Sequence, residues 1–117
     1  MAAASPDPID DVLVCGDLRV DLSAHEAWVG HDPIQLSHLQ FVVLTALARH
    51  ADRLVTHEQL IRATTGVTRS RPRTVRSTVS RVRLRLGTGP QRPRIEVERA
   101  VGYRLRSPEA TRETGPE

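Results

Sequence analysis

The residues with the clearest chemical character are arginines near the middle of the chain. They are Arg71, Arg73, Arg76, Arg81, Arg83 and Arg85, and no acidic residue lies among them. The same stretch carries hydroxyl side chains at Thr74, Ser77, Thr78 and Ser80. Guanidinium groups bind phosphates and the edge of guanine, and hydroxyls can hydrogen-bond to either. This set of side chains favours a polyanionic ligand, and nucleic acid is the commonest one.

A helix is the element that must position these groups. Four apolar residues in the stretch share the spacing i, i+4, i+7 and i+11, namely Val75, Val79, Val82 and Leu86. On a helix they form one narrow stripe that can be buried. Ser70 can cap the start, Pro72 fits the first turn, and Gly87 can adopt the left-handed position after the end.

The opposite face of this helix is cationic and carries hydroxyl groups. Directly opposite the stripe the helical pattern places Arg73, Ser77, Ser80 and Leu84. One flank carries Arg76 and Arg83, and the other carries Thr74, Arg81 and Arg85. Arginines so close together repel one another, and cations near a helix N-terminus oppose the helix dipole. A bound polyanion would relieve both effects. Judged by charge alone, a solvated arginine-rich helix without a ligand is the alternative.

The length of the chain and the distribution of its charges indicate what kind of domain carries this helix. The chain has 117 residues, which is enough for one small domain. All 17 basic residues are arginine. Residues 1–61 carry three arginines against nine acids, whereas residues 62–106 carry thirteen arginines against two acids. This asymmetry indicates a scaffold that presents a polyanion-binding surface.

Several other functions find little support. Cys15 is the only cysteine, so no intramolecular disulfide can form, which suits a reducing cytoplasm. The N-terminus resembles neither a signal peptide nor a membrane span. His25, Glu26, His31 and His38 do not have zinc-ligand spacing, and no catalytic motif stands out. We expect no metal, no cofactor, no membrane partner and no enzymatic activity.

The rest of the chain predicts an α+β fold. Residues 1–11 and 107–117 are expected to be disordered tails around one domain at 12–106. Alternating apolar residues and turn signals predict a small antiparallel sheet over 12–36, with Trp28 covering the core. Capping boxes starting at Ser37 and Thr56 predict two helices, the second ending near Gly66.

A terminal β-hairpin completes the prediction. Ile95 and Val97, then Tyr103 and Leu105, alternate with polar residues around a turn. Arginines decorate this hairpin at Arg94, Arg99, Arg104 and Arg106. The order of sheet, helix, short helix, cationic helix and hairpin describes a winged helix-turn-helix. A helix of this size fits the major groove of DNA, and arginines on the hairpin can reach the minor groove or the phosphates.

Four sequence motifs resemble the effector domain of OmpR/PhoB-type response regulators. They are L-S-H-L-Q-F at 36–41, V-T-H-E-Q-L at 55–60, R-T-V-R-S-T-V-S-R-V-R-L-R-L-G at 73–87 and I-E-V-E-R-A-V-G-Y-R-L at 95–105. They occur in the family's order and spacing, and the resemblance covers about residues 12–106. It implies sequence-specific binding to double-stranded DNA and regulation of transcription, in the bacterial cytoplasm and at the nucleoid.

The resemblance also implies particular DNA contacts. Family positions that meet DNA correspond to Arg73, Thr78, Ser80, Arg81 and Arg83 on the helix and to Arg99 and Tyr103 on the wing. The helical pattern itself adds Thr74, Arg76 and Ser77, and Arg104 is the further wing candidate. Arg76 occupies a position where the family usually has an acidic residue, and Thr78 occupies one where it often has a histidine. We therefore expect the base preference to differ from that of typical family members.

The resemblance says less about how the protein is regulated and which partners it binds. Response regulators carry a receiver domain ahead of this module, whereas only eleven tail residues precede the sheet here. The initiating Met favours a complete, stand-alone effector, and an excised domain is the alternative. We expect two copies of the chain to bind direct-repeat DNA sites, and we expect RNA polymerase as a protein partner. The rival function is a winged-helix protein-interaction module that contacts the transcription machinery without reading DNA, and weak salt dependence would favour it.

Overall fold

The structure is a computed structural model that describes residues 11–64 and 72–108. Within these ranges the elements are β1 (Val12–Cys15), β2 (Leu18–Asp21), β3 (Glu26–Val29), β4 (Asp32–Ile34), α1 (His38–Arg49), β5 (Leu54–Thr56), α2 (His57–Thr64), α3 (Pro72–Leu86), β6 (Arg94–Glu98) and β7 (Gly102–Arg106). They form an antiparallel N-terminal sheet, a group of three helices and a C-terminal sheet that includes the hairpin. The predicted winged helix-turn-helix architecture is confirmed.

The N-terminal sheet has the order β1-β2-β3-β4, and each strand pairs with the next one along the chain. Its inner face buries Leu18, Val20, Ala27 and Val29. The prediction for Trp28 was wrong, because this ring lies on the outer face. There it packs under the Arg19 guanidinium, whose central carbon is 5.6 Å from the ring centroid. Alternation along a strand places Trp28 opposite its two buried neighbours.

Helix α1 lies at the centre of the helical group. Its predicted capping box is present: the Gln40 backbone N–H donates to the Ser37 hydroxyl, and the Ser37 N–H donates to the Gln40 side chain. The helix packs against α2, α3, β1 and β7. It buries Phe41, Val43 and Leu44 among others, so it forms the centre of an aliphatic core.

Helix α2 begins with the second predicted capping box. The Gln59 N–H donates to the Thr56 hydroxyl at 3.1 Å, and the Thr56 N–H donates to the Gln59 side-chain oxygen at 2.8 Å. The described part of the helix ends at Thr64, whose buried hydroxyl donates to the Leu60 carbonyl. The predicted end near Gly66 and the Ser70 cap lie outside the described residues.

The C-terminal sheet contains one strand that the sequence analysis did not predict. Its order is β5-β7-β6, so the hairpin formed by β6 and β7 is extended by β5 from the middle of the chain. The register pairs Leu54 with Arg104 and Thr56 with Gly102. A side chain at Gly102 would collide with the Val55 carbonyl oxygen, so glycine permits the close approach of β5 and β7.

One residue on each side of the predicted domain is hydrogen-bonded to it. The carbonyl of Asp11 accepts from the Leu22 N–H, and the Ser107 N–H donates to the Asp52 carboxylate at 2.8 Å. Both residues had been placed in tails. The remaining predicted tail residues, apart from Pro108, lie outside the described ranges. In the described part of the chain, no helix is long and apolar enough to cross a membrane.

Candidate nucleic-acid interface

One side of α3 is sealed into the core, as its apolar spacing predicts. Val75, Val79, Val82 and Leu86 are each no more than 2 % exposed. They pack in the same cluster as Leu44, Leu47 and Leu60 of the first two helices. This burial fixes the rotation of α3 about its axis, and therefore determines which side chains face outward.

The outer side of α3 is exposed and cationic. Its exposed residues are Arg73, Arg76, Ser77, Ser80, Arg81, Arg83, Leu84 and Arg85. Thr74 is half-buried at the edge of this surface. Among residues 11–64 and 72–108, the ion pairs involve only Glu58 and Glu96 as acids, and neither pairs with an α3 arginine. The positive charge of the helix is therefore not neutralised by any described carboxylate.

The C-terminal end of α3 is closed by two contacts. Gly87 has a φ of +69°, and its N–H donates to the Arg83 carbonyl at 3.2 Å, as predicted for a left-handed cap. The Arg92 guanidinium donates to the Leu86 carbonyl at 3.0 Å. A cation at this position also suits the negative end of the helix dipole. The role of Arg92 was not predicted, because an arginine in an irregular loop carries no pattern that reveals its target.

Arg83 is directed toward the wing. Its guanidinium donates to the Ile95 carbonyl at 2.8 Å, which ties α3 to β6. The residue is exposed overall, so part of the guanidinium remains at the surface. This hydrogen bond also gives Arg83 a role in positioning β6 against α3, which the sequence did not predict.

Two residues assigned to the interface are buried in this structure. Thr78 is 6 % exposed, and its hydroxyl donates to the Thr74 carbonyl at 2.7 Å. It lies three residues after Val75 and four before Val82, so helical spacing places it beside the buried stripe. Tyr103 is 4 % exposed, and its ring meets the His57 ring edge-on at 5.1 Å. In this structure neither side chain offers a surface to DNA.

Burial also affects the chemistry of Tyr103. Desolvation raises the pKa of its phenol above the ordinary value of 10.0, while the charges of Arg76 and Arg83 act in the opposite direction. Tyr103 therefore lies within the electrostatic field of the cationic helix. In this structure its ring belongs to the core cluster and packs against His57 of α2.

The hydroxyl groups of the outer face have different surroundings. The Ser77 hydroxyl donates to the Thr74 carbonyl at 3.1 Å, so its oxygen is left to accept a hydrogen bond from a ligand. Ser80 is exposed one turn further along the helix. Leu84 is 80 % exposed and interrupts the cationic surface near its C-terminal end.

The wing presents its charges in two separate ways. Arg99 is exposed in the turn between β6 and β7, next to Ala100, whose φ is +64°. Arg104 is half-buried and lies 3.9 Å from Glu96, which also pairs with Arg106 at 3.5 Å. Of the two predicted wing arginines, Arg99 is thus the more available to a ligand.

The histidines do not form a ligand cluster. The His25 ring stacks on Phe41 with centroids 4.8 Å apart, and it lies 5.4 Å from the His38 ring. Across residues 11–64 and 72–108, no three histidine, cysteine or acidic side chains come together in a way that could hold a metal ion.

Comparison with known proteins places this architecture in a family. The model of the family described as "Transcriptional regulatory protein, C terminal" matches residues 31–105. The chain belongs to this family. Its effector domains are those of OmpR/PhoB-type regulators, as the sequence motifs indicated. The matched segment contains all three helices and most of the C-terminal hairpin, including the whole candidate interface.

Relatives within the family are bacterial regulators. The chain is 32% identical over 107 residues to the transcriptional regulatory protein TcrA of Mycobacterium tuberculosis, covering 91% of this chain and 42% of the relative. It is 27% identical over 106 residues to the phosphate regulon regulator PhoB of Escherichia coli, covering 90% and 46%. The chain therefore spans less than half the length of these relatives.

Solved structures of family members share the fold. The DNA-binding domain of RstA from Klebsiella pneumoniae, solved in complex with the RstA box, has a TM-score of 0.69 and 28% identity, covering 83% of this chain and 97% of that one. The DNA-binding domain of CpxR from E. coli has a TM-score of 0.72 and 24% identity, covering 82% and 96%. The second likeness is evidence for the fold alone.

Proposed function

We propose that this chain binds double-stranded DNA with sequence specificity and regulates transcription. The observation that carries the proposal is the outer face of α3, where arginines and serines stand exposed with no described carboxylate to neutralise them. Family membership supports it, as does the complex of the related RstA domain with its DNA box. As DNA is the ligand, the site of action is the cytoplasm of a bacterial cell.

The geometry favours a division of roles between α3 and the wing. A helix of 15 residues fits the major groove, which is about 12 Å wide in B-form DNA. Arg81 and Ser80 lie mid-helix on the exposed side and are our candidates for base contacts. Arg73 and Arg76 precede them and can reach bases or phosphates, and the Ser77 hydroxyl oxygen can accept from a donor group on a base edge. Arg99 contacts the flanking backbone or the minor groove.

Three candidates, the half-buried Thr74 and Arg104 and the exposed Arg83, have lesser roles in DNA binding. Thr74, at the edge of the exposed face, is placed to contact a phosphate. Arg104 shares Glu96 with Arg106, so a phosphate would have to compete with that carboxylate. Arg83 acts chiefly by holding the wing against α3 through the Ile95 carbonyl.

The test begins by selecting a binding site from a random duplex pool. Affinities for the selected duplex and for a scrambled one are then measured over a range of salt concentrations. Arg81→Ala should cost about 1–3 kcal/mol on the selected duplex and much less on the scrambled one, if Arg81 reads a guanine through two hydrogen bonds. Arg99→Ala should weaken both duplexes equally and reduce the salt slope by about 1.

A matched control is available in the N-terminal sheet. Arg19 stacks over Trp28 on the outer face of that sheet, away from α3, so Arg19→Ala should leave both affinities nearly unchanged. Equal losses in the Arg19 and Arg81 variants would mean that net charge alone is being measured. Unchanged affinity in the Arg81 and Arg99 variants would contradict the assignment of the interface.

A second candidate function rests on Leu84. This side chain is 80 % exposed within the cationic face, and an apolar group in that position suits a protein partner such as RNA polymerase. An interface of that kind would depend weakly on salt, whereas phosphate contacts depend on it steeply. Leu84→Ala should leave DNA affinity nearly unchanged and lower transcription only if the residue contacts a protein.

Assembly on DNA is the remaining part of the proposal. We expect two copies to occupy direct-repeat sites, each placing α3 in one major groove. Gel-shift titrations on duplexes with one or two selected half-sites would show one or two retarded species. A single species on the two-site duplex, with the stoichiometry of one chain, would exclude this arrangement.

A further inference from the structure

A cavity of about 500 Å³ lies between α1 and α2, and none of the residues that line it belongs to α3 or to the hairpin. Its apolar lining comes from Phe41, Val42, Ala46, Val55 and Ala63. The first three lie on α1, Val55 lies in β5, and Ala63 lies on α2. The candidate DNA interface does not use this cavity.

The polar lining of the cavity consists of groups that donate hydrogen bonds or carry positive charge. Arg49 and Arg62 contribute guanidinium groups, and His25, His50 and Gln59 complete the set. No acidic residue of the described ranges 11–64 and 72–108 lines the cavity. Because the Gln59 side-chain oxygen already accepts from the Thr56 N–H, its amide nitrogen is the part left to donate.

Arg62 is held only loosely by its own helix. It lies 3.7 Å from Glu58, and both side chains are largely exposed to solvent. Exposed pairs one helical turn apart contribute little stability, so Arg62 can turn toward an anion at small cost. Arg49 has no ion pair among the described residues, and it lines the cavity from the last turn of α1, whereas Arg62 lines it from α2.

Thr45 gives independent evidence that the cavity can hold a ligand with a hydrogen-bond acceptor. It lines the same space, and its hydroxyl is buried without a hydrogen-bond partner. Threonine in a helix has two accessible rotamers, so rotation about its first side-chain bond can direct the hydroxyl into the cavity. An acceptor atom there would satisfy a group that otherwise remains unpaired at a cost in stability.

We propose that this cavity binds a small amphipathic carboxylate. Its apolar body lies between Phe41, Ala46 and Ala63, and its carboxylate lies at the opening between Arg49 and Arg62. The volume falls within the range of about 300–1,000 Å³ that is usual for small-molecule sites. Eleven residues line the cavity, fewer than the roughly 20–30 that one side of a stable protein interface contributes, so a small molecule suits it better than a protein.

The site is independent of the proposed DNA interface but mechanically close to it. Helix α2 packs against both α1 and α3, so a ligand between α1 and α2 contacts the scaffold that supports α3. A ligand that binds only the folded chain raises its apparent stability with concentration. Ligand binding can therefore be measured without DNA.

The test uses decanoate as the probe and the full chain as the protein. Calorimetry should show saturable binding of one decanoate per chain, and the melting temperature should rise with decanoate concentration. Decylamine has a chain of the same length but the opposite charge, and should bind at least about tenfold more weakly. Arg49→Gln should weaken decanoate binding by about tenfold, whereas Arg53→Gln, an exposed residue outside the cavity, should not.

Two filling variants separate cavity binding from surface charge. Ala63→Phe fills the cavity from an exposed position on α2, and Ala46→Phe fills it from α1. At least one of them should stay folded, as shown by cooperative melting, and should lose decanoate binding. The proposal is overturned if decanoate does not saturate the wild-type chain, if a folded filling variant binds it as well as wild type, or if decylamine binds equally. DNA affinity plays no part in these outcomes.

Discussion

The two sheets of this protein differ in how they are assembled and in what they carry. The N-terminal sheet joins four strands that follow one another along the chain, and the C-terminal sheet joins the terminal hairpin to β5 from the middle of the chain. The first lies in the acidic part of the sequence, whereas the hairpin of the second, β6 and β7, lies in the arginine-rich part. The local sheet acts as a scaffold, while the non-local one holds charged groups beside α3.

Glycines in the two sheets illustrate the same contrast. Gly30 has a φ of +64° in a turn of the N-terminal sheet, and a side chain there would meet nothing within 4 Å. Gly102 lies in β7, where a side chain would meet the Val55 carbonyl and the Thr56 backbone of β5. The first glycine is required by its own backbone conformation, and the second by a neighbouring strand.

The largest expected effect follows from this contrast. Gly102→Ala should destabilise the fold by about 3 kcal/mol or more, because the backbone of β5 would have to move away from β7. Gly30→Ala should cost only about 1 kcal/mol, the price of a left-handed residue other than glycine. Urea denaturation followed by Trp28 fluorescence would measure both. Equal losses would show that steric contact between β5 and β7 is not what requires Gly102.

A smaller effect is expected where α3 meets the C-terminal sheet. Arg83→Ala removes the hydrogen bond to the Ile95 carbonyl and should lower the free energy of unfolding by about 1–2 kcal/mol. Arg81→Ala removes an exposed side chain for which the structure shows no internal contact, and should change stability by less than about 0.5 kcal/mol. Thermal or urea unfolding of both variants tests this. Similar stabilities of the two variants would show that the hydrogen bond from Arg83 to the Ile95 carbonyl does not stabilise the fold.

The two capping boxes give a further comparison of about 1 kcal/mol each. Ser37→Ala and Thr56→Ala each remove an acceptor for a backbone N–H at a helix start. Thr56 also ends β5, directly before His57, whose N–H donates to the Val101 carbonyl of the wing turn. Only Thr56→Ala should therefore speed hydrogen exchange at His57. Faster exchange at this amide in the Ser37 variant as well would mean that the wing is not coupled specifically to α2.

The smallest effect concerns Tyr103, the only tyrosine in the chain. Burial raises its pKa above 10.0, so the folded state favours the neutral phenol more strongly than the unfolded state does. The resulting stability should be fully present below pH 10 and should fall as the pH rises above it. Ultraviolet absorbance of the tyrosinate, compared with stability over the same range, measures this. In the Arg83→Gln variant the pKa of Tyr103 should rise further, because one cation that lowers it is removed. A lower pKa in this variant would contradict the electrostatic effect of Arg83 on Tyr103.

Local signals in the sequence predicted much of this fold. Alternation predicted the N-terminal sheet, two capping boxes predicted the starts of α1 and α2, and the valine spacing predicted the buried side of α3. The strand β5 was missed because three residues carry little pattern and their partner strand is distant in sequence. Trp28 was misplaced because its size was given more weight than its position between two buried neighbours.

The interface was predicted less completely than the fold. The exposed arginines of α3 were found from helical spacing, while Thr78 and Tyr103 were assigned through family resemblance and are buried here. Helical spacing could have placed Thr78 beside Val75 and Val82. The hydrogen bonds of Arg83 and Arg92 to backbone carbonyls could not be predicted, because they depend on how distant segments pack. Which residues touch DNA stays a prediction.

The tie between Ser107 and Asp52 has a consequence for biosynthesis. These residues are 55 positions apart, and the strand just before Ser107 is the middle one of its sheet. During translation the N-terminal segments emerge and can fold first. The β5-β7-β6 sheet can close only when residues up to Arg106 have left the ribosome, so a nascent chain lacks its wing until β7 has emerged.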